Sequence, residues 1–92
     1  MNLKEKVRSI QDFPVPGVRF HDITTLLKDG AAYKEMVDRM LGKLQDIQID
    51  VVAGPEARGF LLGAPMAYSL GAGFVPVRRP GKLPAPVYRM DY

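Results

Sequence analysis

The stretch Asp50–Leu70, DVVAGPEARGFLLGAPMAYSL, decides how this chain folds. It opens on Val51-Val52-Ala53, an apolar run too short for a helix and rich in β-branched residues. Gly54-Pro55 stops that run, and from Gly59 a second apolar stretch is long enough for a helix of about three turns. The pattern is strand, tight loop, helix, which is the entry half of a βαβ unit. In such units ligands gather at the carboxyl end of the strand, where the loop meets the helix N-terminus.

Arg58 stands at that junction. A helix N-terminus carries partial positive charge and N–H groups without intrahelical partners, so a cation there is disfavoured and an anion favoured. Backbone donors from Ala57 to Gly59 beside a guanidinium fork suit a phosphate-like ligand, and Gly54 and Gly59 permit close backbone approach. The competing expectation is a surface ion pair between Arg58 and Glu56.

Working outward, the chain has 92 residues, at most one small domain, and no second domain or internal repeat is expected. Charged residues make up 25% and hydrophobic ones 47%, values ordinary for a soluble globular protein. The net charge of +3 does not argue for nucleic acid, although Arg78, Arg79, Lys82 and Arg89 face only Asp91 in the last fifteen residues. Cysteine is absent and His21 is the single histidine, which excludes disulfides and thiolate chemistry and disfavours a metal site. The start, MNLKEKVRSI, lacks the apolar core of a signal peptide, and no uncharged apolar run approaches the roughly 18 residues of a membrane span. A cytoplasmic protein without membrane or nucleic-acid partners is the expectation.

Residues 2–11 are expected to be helical, with Asn2 and Glu5 as a capping box and Leu3, Val7 and Ile10 on one face. Pro14, Pro16 and Gly17 then impose an extended segment and a turn. Val18-Arg19-Phe20 continues extended, and 21–27 forms a brief helical turn capped by Asp22 or Thr24. The clearest helix is Gly30–Asp46, where Tyr33, Met36, Val37, Met40, Leu41 and Leu44 recur at three- and four-residue steps. Strands are expected over 50–54 and 74–78. The helix between them is apolar on nearly all sides, as a buried helix is, with Pro65 inside it and Gly71 and Gly73 at its end. Pro76 belongs at a sheet edge or where its missing N–H is not needed. Residues 79–92 carry three prolines and form a polar loop. Neighbouring parallel strands would bring Arg58 and Arg78-Arg79-Pro80-Gly81-Lys82 to one rim, a constellation suited to phosphate or pyrophosphate.

Three segments, DFPVPGVRFHDIT at 12–24, IDVVAGPEARGFLLG at 49–63 and GFVPVRRPGKLPAP at 73–86, together resemble the adenine phosphoribosyltransferases. With the helix between them they cover nearly the whole chain in one register. The resemblance implies an α/β fold, the N-terminal half of a type I phosphoribosyltransferase fold: a parallel sheet flanked by helices, with a small hood over the base. It divides the chain into an N-terminal helix and base-binding hood (1–28), a helix–strand–helix–strand core (29–78) and the start of a mobile catalytic loop (79–92).

The activity so implied belongs to purine salvage, a pentosyl transfer that forms AMP and pyrophosphate from adenine and phosphoribosyl pyrophosphate, with Mg²⁺ carried by the sugar-phosphate substrate and none bound by the protein alone. Base-binding falls on Phe20, whose ring stacks on the purine, and on the backbone of Arg19 and His21. Pyrophosphate-binding falls on Glu56, Ala57, Arg58, Arg78 and Lys82, with a cis peptide at Glu56–Ala57, and the catalytic cations are Arg58 and Lys82. A homodimer is implied for the full-length form. The family's LEYG-type segment and its VDDLLATGGT-type motif lie beyond Tyr92, so the chain is expected to be a truncated form, inactive alone, with apolar residues of the 60–70 helix and of Val51-Val52 partly exposed. Alternatives are transfer to another purine base, or a non-catalytic purine-nucleotide-binding module.

Overall fold

A computed structural model describes residues 1–91. The chain gathers into two compact units, one from Met1 to Gln45 and a second beginning at Asp46. The long helix, grouped by sequence with the strands that follow it, falls in the first unit.

The first unit opens with a single 3-10 turn, Leu3–Lys6, and then two antiparallel strands, β1 (Arg8–Gln11) and β2 (Arg19–Asp22). This corrects the expected helix over 2–11. Asn2 does cap, its Oδ1 accepting the Lys4 N–H at 3.1 Å, but the turn ends at Val7, whose backbone is already extended. Ten residues are too few for a stable lone helix, whereas a partner strand offers a complementary group at each rung. Arg8 meets Asp22, Ser9 Oγ lies 3.3 Å from His21 Nδ1, Ile10 faces Phe20, and Gln11 Oε1 accepts from Arg19 Nε at 3.4 Å.

The connection is pinned by Asp12, whose carboxylate accepts the Gly17 N–H at 2.8 Å, while Gly17 takes a left-handed φ of 87° that favours glycine. The Phe13–Pro14 peptide is cis, and the Phe13 N–H donates to the Val18 carbonyl at 3.2 Å.

Two helices complete this unit, α1 (Thr24–Leu27) and α2 (Gly30–Gly42). Asp29 caps α2 by accepting the Ala32 N–H at 3.1 Å, and Leu26, Ala32 and Val37 are buried. The helix stops four residues short of the expected Asp46. Gly42 is a poor helix former, and the Lys43 and Leu44 amides bond three residues back to Met40 and Leu41, tightening the end into turns.

The second unit is the strand–helix–strand read from the sequence: β3 (Val51–Pro55), α3 (Arg58–Leu70) and β4 (Gly73–Val77). The strands pair in parallel from Val51↔Gly73 to Pro55↔Val77. Among the described residues β4 has β3 as its one neighbour, which leaves an edge where Pro76 costs no ladder bond. Gly71 ends α3 at φ 66°, and the Ala72 N–H returns to the Ala67 carbonyl at 2.9 Å, a Schellman closure.

Helix α3 covers one face of the pair. Gly63, Met66 and Ala67 are buried, and Phe60 meets Phe74 edge to face with ring centroids 5.7 Å apart. It is not buried all round: Leu61 and Tyr68 are exposed, Tyr68 at 89%. The other sheet face is open, with Val51 at 53%, Val75 at 48% and Val77 at 51% exposure. The partial exposure expected of the 60–70 helix and of Val51-Val52 is therefore present.

Candidate functional site

The residues singled out from the sequence fall into two groups, one on each unit. In the first, Arg19, Phe20 and His21 are consecutive on β2. Phe20 is half-buried and packs edge to face on Phe13, 5.3 Å between centroids with planes at 70°. Arg19 and His21 are exposed and, two apart on a strand, turn their backbone groups toward the same edge.

What the sequence argument missed here is the anchor beneath them. Asp22, expected only as a helix cap, is 8% exposed and binds three ways. It takes the Arg8 guanidinium from the neighbouring strand, the Thr24 hydroxyl at 2.7 Å and the Thr24 amide at 2.9 Å. The Arg8 bond first, and the Thr24 bonds after it, bring its pKa down to about 2. The signal was available only through the β1–β2 register, because Arg8 and Asp22 are fourteen residues apart.

In the second unit, β3 and β4 end side by side at Pro55 and Val77, so the 56–59 and 78–82 segments leave the sheet together. The Glu56–Ala57 peptide is cis, as expected. Arg58 is exposed and opens α3, whose N-cap Ala57 provides no side-chain bond to the first turn. An anion would therefore meet the positive end of a helix that its own N-cap side chain does not neutralise.

Glu56 reaches across to the second loop. Its N–H donates to the Val77 carbonyl at 2.9 Å, its carboxylate accepts the Arg79 N–H at 2.7 Å, and Arg78 Nε lies 3.8 Å away. Arg78 in turn donates from Nη1 to the Lys82 carbonyl at 3.1 Å. The Arg79 amide, followed by the charges of Arg78, Arg79 and Lys82, holds the Glu56 carboxyl below its ordinary pKa. The three cations therefore share one neighbourhood.

Gly54 and Gly59 are explained by the approach of the chain to itself. A side chain at 54 would lie 2.7 Å from the Gly59 carbonyl oxygen, and one at 59 would strike the Pro55 ring. Gly63, which the sequence argument passed over, is needed in the same way: a Cβ there would be 2.7 Å from the Phe74 ring.

Among the described residues no group of three His, Cys, Asp or Glu side chains could hold a metal ion, and no helix is long and apolar enough to cross a membrane. The donors at the strand ends, guanidinium, ammonium and amide groups, fit phosphate oxygens rather than a cation.

No family model matches the chain. It is 59% identical over all 92 of its residues to an adenine phosphoribosyltransferase of Alkaliphilus metalliredigens, covering 54% of that protein. The crystal structure of the adenine phosphoribosyltransferase from Thermoanaerobacter pseudethanolicus superposes with a TM-score of 0.92 at 50% identity, over 98% of this chain and 54% of that one. The enzyme from Saccharomyces cerevisiae, solved with adenine and an imino-altritol bisphosphate, gives a TM-score of 0.86 at 33% identity, over 95% of this chain and 54% of that one. The chain spans about half the length of the curated relatives it matches. From end to end it corresponds to the N-terminal half of the type I phosphoribosyltransferase fold of the adenine phosphoribosyltransferases.

Proposed function

We propose that this chain is the adenine- and pyrophosphate-binding portion of an adenine phosphoribosyltransferase, a purine-salvage pentosyltransferase that forms AMP and pyrophosphate from adenine and phosphoribosyl pyrophosphate. The observation that carries the reading is the match at 59% identity along the entire chain. Each relative and structure described above is directed to adenine, which favours adenine over another purine.

In this reading the β1–β2 hairpin is the hood, and Phe20 stacks on the purine while the backbone of Arg19 and His21 reads its edge. The strand-end loops of the second unit take the pyrophosphate, with residues 79–92 as the start of the mobile catalytic loop, Tyr92 lying outside the described residues. As the bond from C1 of the ribose to pyrophosphate breaks, positive charge grows on the sugar and negative charge on the leaving group. Arg58, Arg78 and Lys82 stabilise the latter, and the purine nitrogen closes the new bond to C1 as its proton passes to the departing pyrophosphate or to solvent. Arg58 presents a planar fork that forms two parallel bonds to a phosphate, which lysine does not. Mg²⁺ carried by the sugar-phosphate substrate would supply Lewis-acid stabilisation of the same leaving group. A cytoplasmic setting and a homodimer of the full-length form belong to the same reading.

Calorimetric titration of the purified chain with adenine, AMP and pyrophosphate tests it. Saturable binding of all three is expected, with guanine binding more weakly than adenine. Absence of saturable binding for any of them overturns the reading.

A further inference from the structure

The geometry points to Glu56 as a positioning residue for the basic segment Arg78–Lys82, one whose side chain fixes the base of that segment while its charge tempers the segment's attraction for an anion. The second half of this statement rests on the pyrophosphate reading above. The first half stands on the contacts alone.

Parallel pairing runs out at Pro55↔Val77, and the bond from the Glu56 N–H to the Val77 carbonyl extends it by one step. Beyond that point β4 has no further ladder, and Pro80 brings no N–H. The Arg79 amide is thus the last backbone donor before the turn at Pro80-Gly81, and the Glu56 carboxylate takes it at 2.7 Å. The turn closes on itself through the Lys82 N–H to the Arg79 carbonyl at 3.3 Å and through Arg78 Nη1 to the Lys82 carbonyl. One carboxylate therefore seats a loop that carries three cations.

The same carboxylate brings a negative charge in among them. Arg78, Arg79 and Lys82 all lower its pKa, so its negative charge lies within their field and lowers the potential that an incoming anion meets. Anchoring needs only an acceptor atom at Oε1, whereas tempering needs the charge. Glutamine keeps the first and removes the second, and alanine removes both.

Equilibrium dialysis with pyrophosphate and trypsin cleavage mapped by mass spectrometry, on the 92-residue chain and its Glu56→Gln and Glu56→Ala variants, separate the two roles. Glu56→Gln should bind pyrophosphate about two- to fivefold more tightly than the parent at low ionic strength, a gain that shrinks with added salt. Glu56→Ala should bind several-fold less tightly than Glu56→Gln, since the two differ in the tether and not in charge. Cleavage after Arg78 and Lys82, normalised to cleavage after Arg89, should rise several-fold in Glu56→Ala and stay near the parent value in Glu56→Gln. A glutamine variant no tighter than the parent overturns the tempering role, and equal cleavage in all three chains overturns the tether. If the parent binds no pyrophosphate, the pyrophosphate reading falls and the tempering with it, while the cleavage ratios still decide the tether.

Discussion

Each unit contains a carboxylate that joins two of its segments, and the two are held differently. Asp22 is buried and saturated: a guanidinium, a hydroxyl and an amide converge on it from β1 and from the start of α1. Glu56 is more open, with one backbone amide at bonding distance and a guanidinium at 3.8 Å. A carboxylate enclosed like Asp22 fixes a framework and has nothing left to offer a ligand. One held by a single amide amid several cations can be outcompeted, or can adjust, when a stronger anion arrives. The first unit is built to present a strand in a fixed position, and the second to leave positive charge partly uncommitted.

The largest expected effect tests how rigid the second unit is beneath its adjustable loop. Gly54→Val should destabilise the chain by about 3 kcal/mol, because the new side chain meets backbone and has no room to move. Urea unfolding followed by far-ultraviolet circular dichroism measures this, and an unchanged midpoint would mean that β3 and α3 can separate at no cost. Next comes the separation of ligands between the units. Arg58→Ala should weaken pyrophosphate binding by about 2 kcal/mol through loss of a charge-assisted donor, with Arg58→Lys recovering part of it, and adenine binding little changed. Phe20→Ala should do the reverse, costing adenine or AMP about 1.5 kcal/mol of stacking and sparing pyrophosphate. Equal losses for both ligands in either variant would break the division of labour.

The smallest effect sharpens the contrast of the two carboxylates. Asp22 has a depressed folded-state pKa, so its contribution to stability is fully present above its ordinary value of 3.8 and is lost as pH falls toward about 2. Glu56 is also depressed, so its contribution is present above its ordinary 4.5 and fades as pH falls below that. Urea midpoints measured down to pH 2 should therefore decline in the parent, and Asp22→Asn should flatten the lower part of that decline. An acid limb identical in parent and variant would show that Asp22 is not the anchor.

The legibility of the sequence followed the range of the interactions. In the second unit the β-branched Val51-Val52, the break at Gly54-Pro55, the apolar run after Gly59 and the stop at Gly71 are local signals that agree with the packing. Strand, helix and strand were therefore readable to within a residue or two, and Glu56 at the end of the first strand does meet Arg78 and Arg79 beyond the second. In the first unit, Leu3, Val7 and Ile10 have helical spacing, yet Arg8–Gln11 is a strand because its partners lie eight to fourteen residues away. That pairing is polar on three of its four rungs, so no hydrophobic alternation announces it. The same gap hid Arg8 and Asp22, whereas Gly54 and Gly59 mark a close local approach, where the end of β3 meets the first turn of α3.

The close seat of α3 has a consequence for how this protein tolerates genetic change. Gly54, Gly59 and Gly63 each stand where an added Cβ meets the opposing chain. A side chain at any of these positions should press the helix away from the strand and so shift its first turn, where Arg58 begins. Gly63 lies a full turn beyond Gly59, and a Cβ there would meet the Phe74 ring first. A screen for variants that lose anion binding would nonetheless recover Gly63 alongside Arg58, so a hit there would report the depth of a helix seat rather than contact with a ligand.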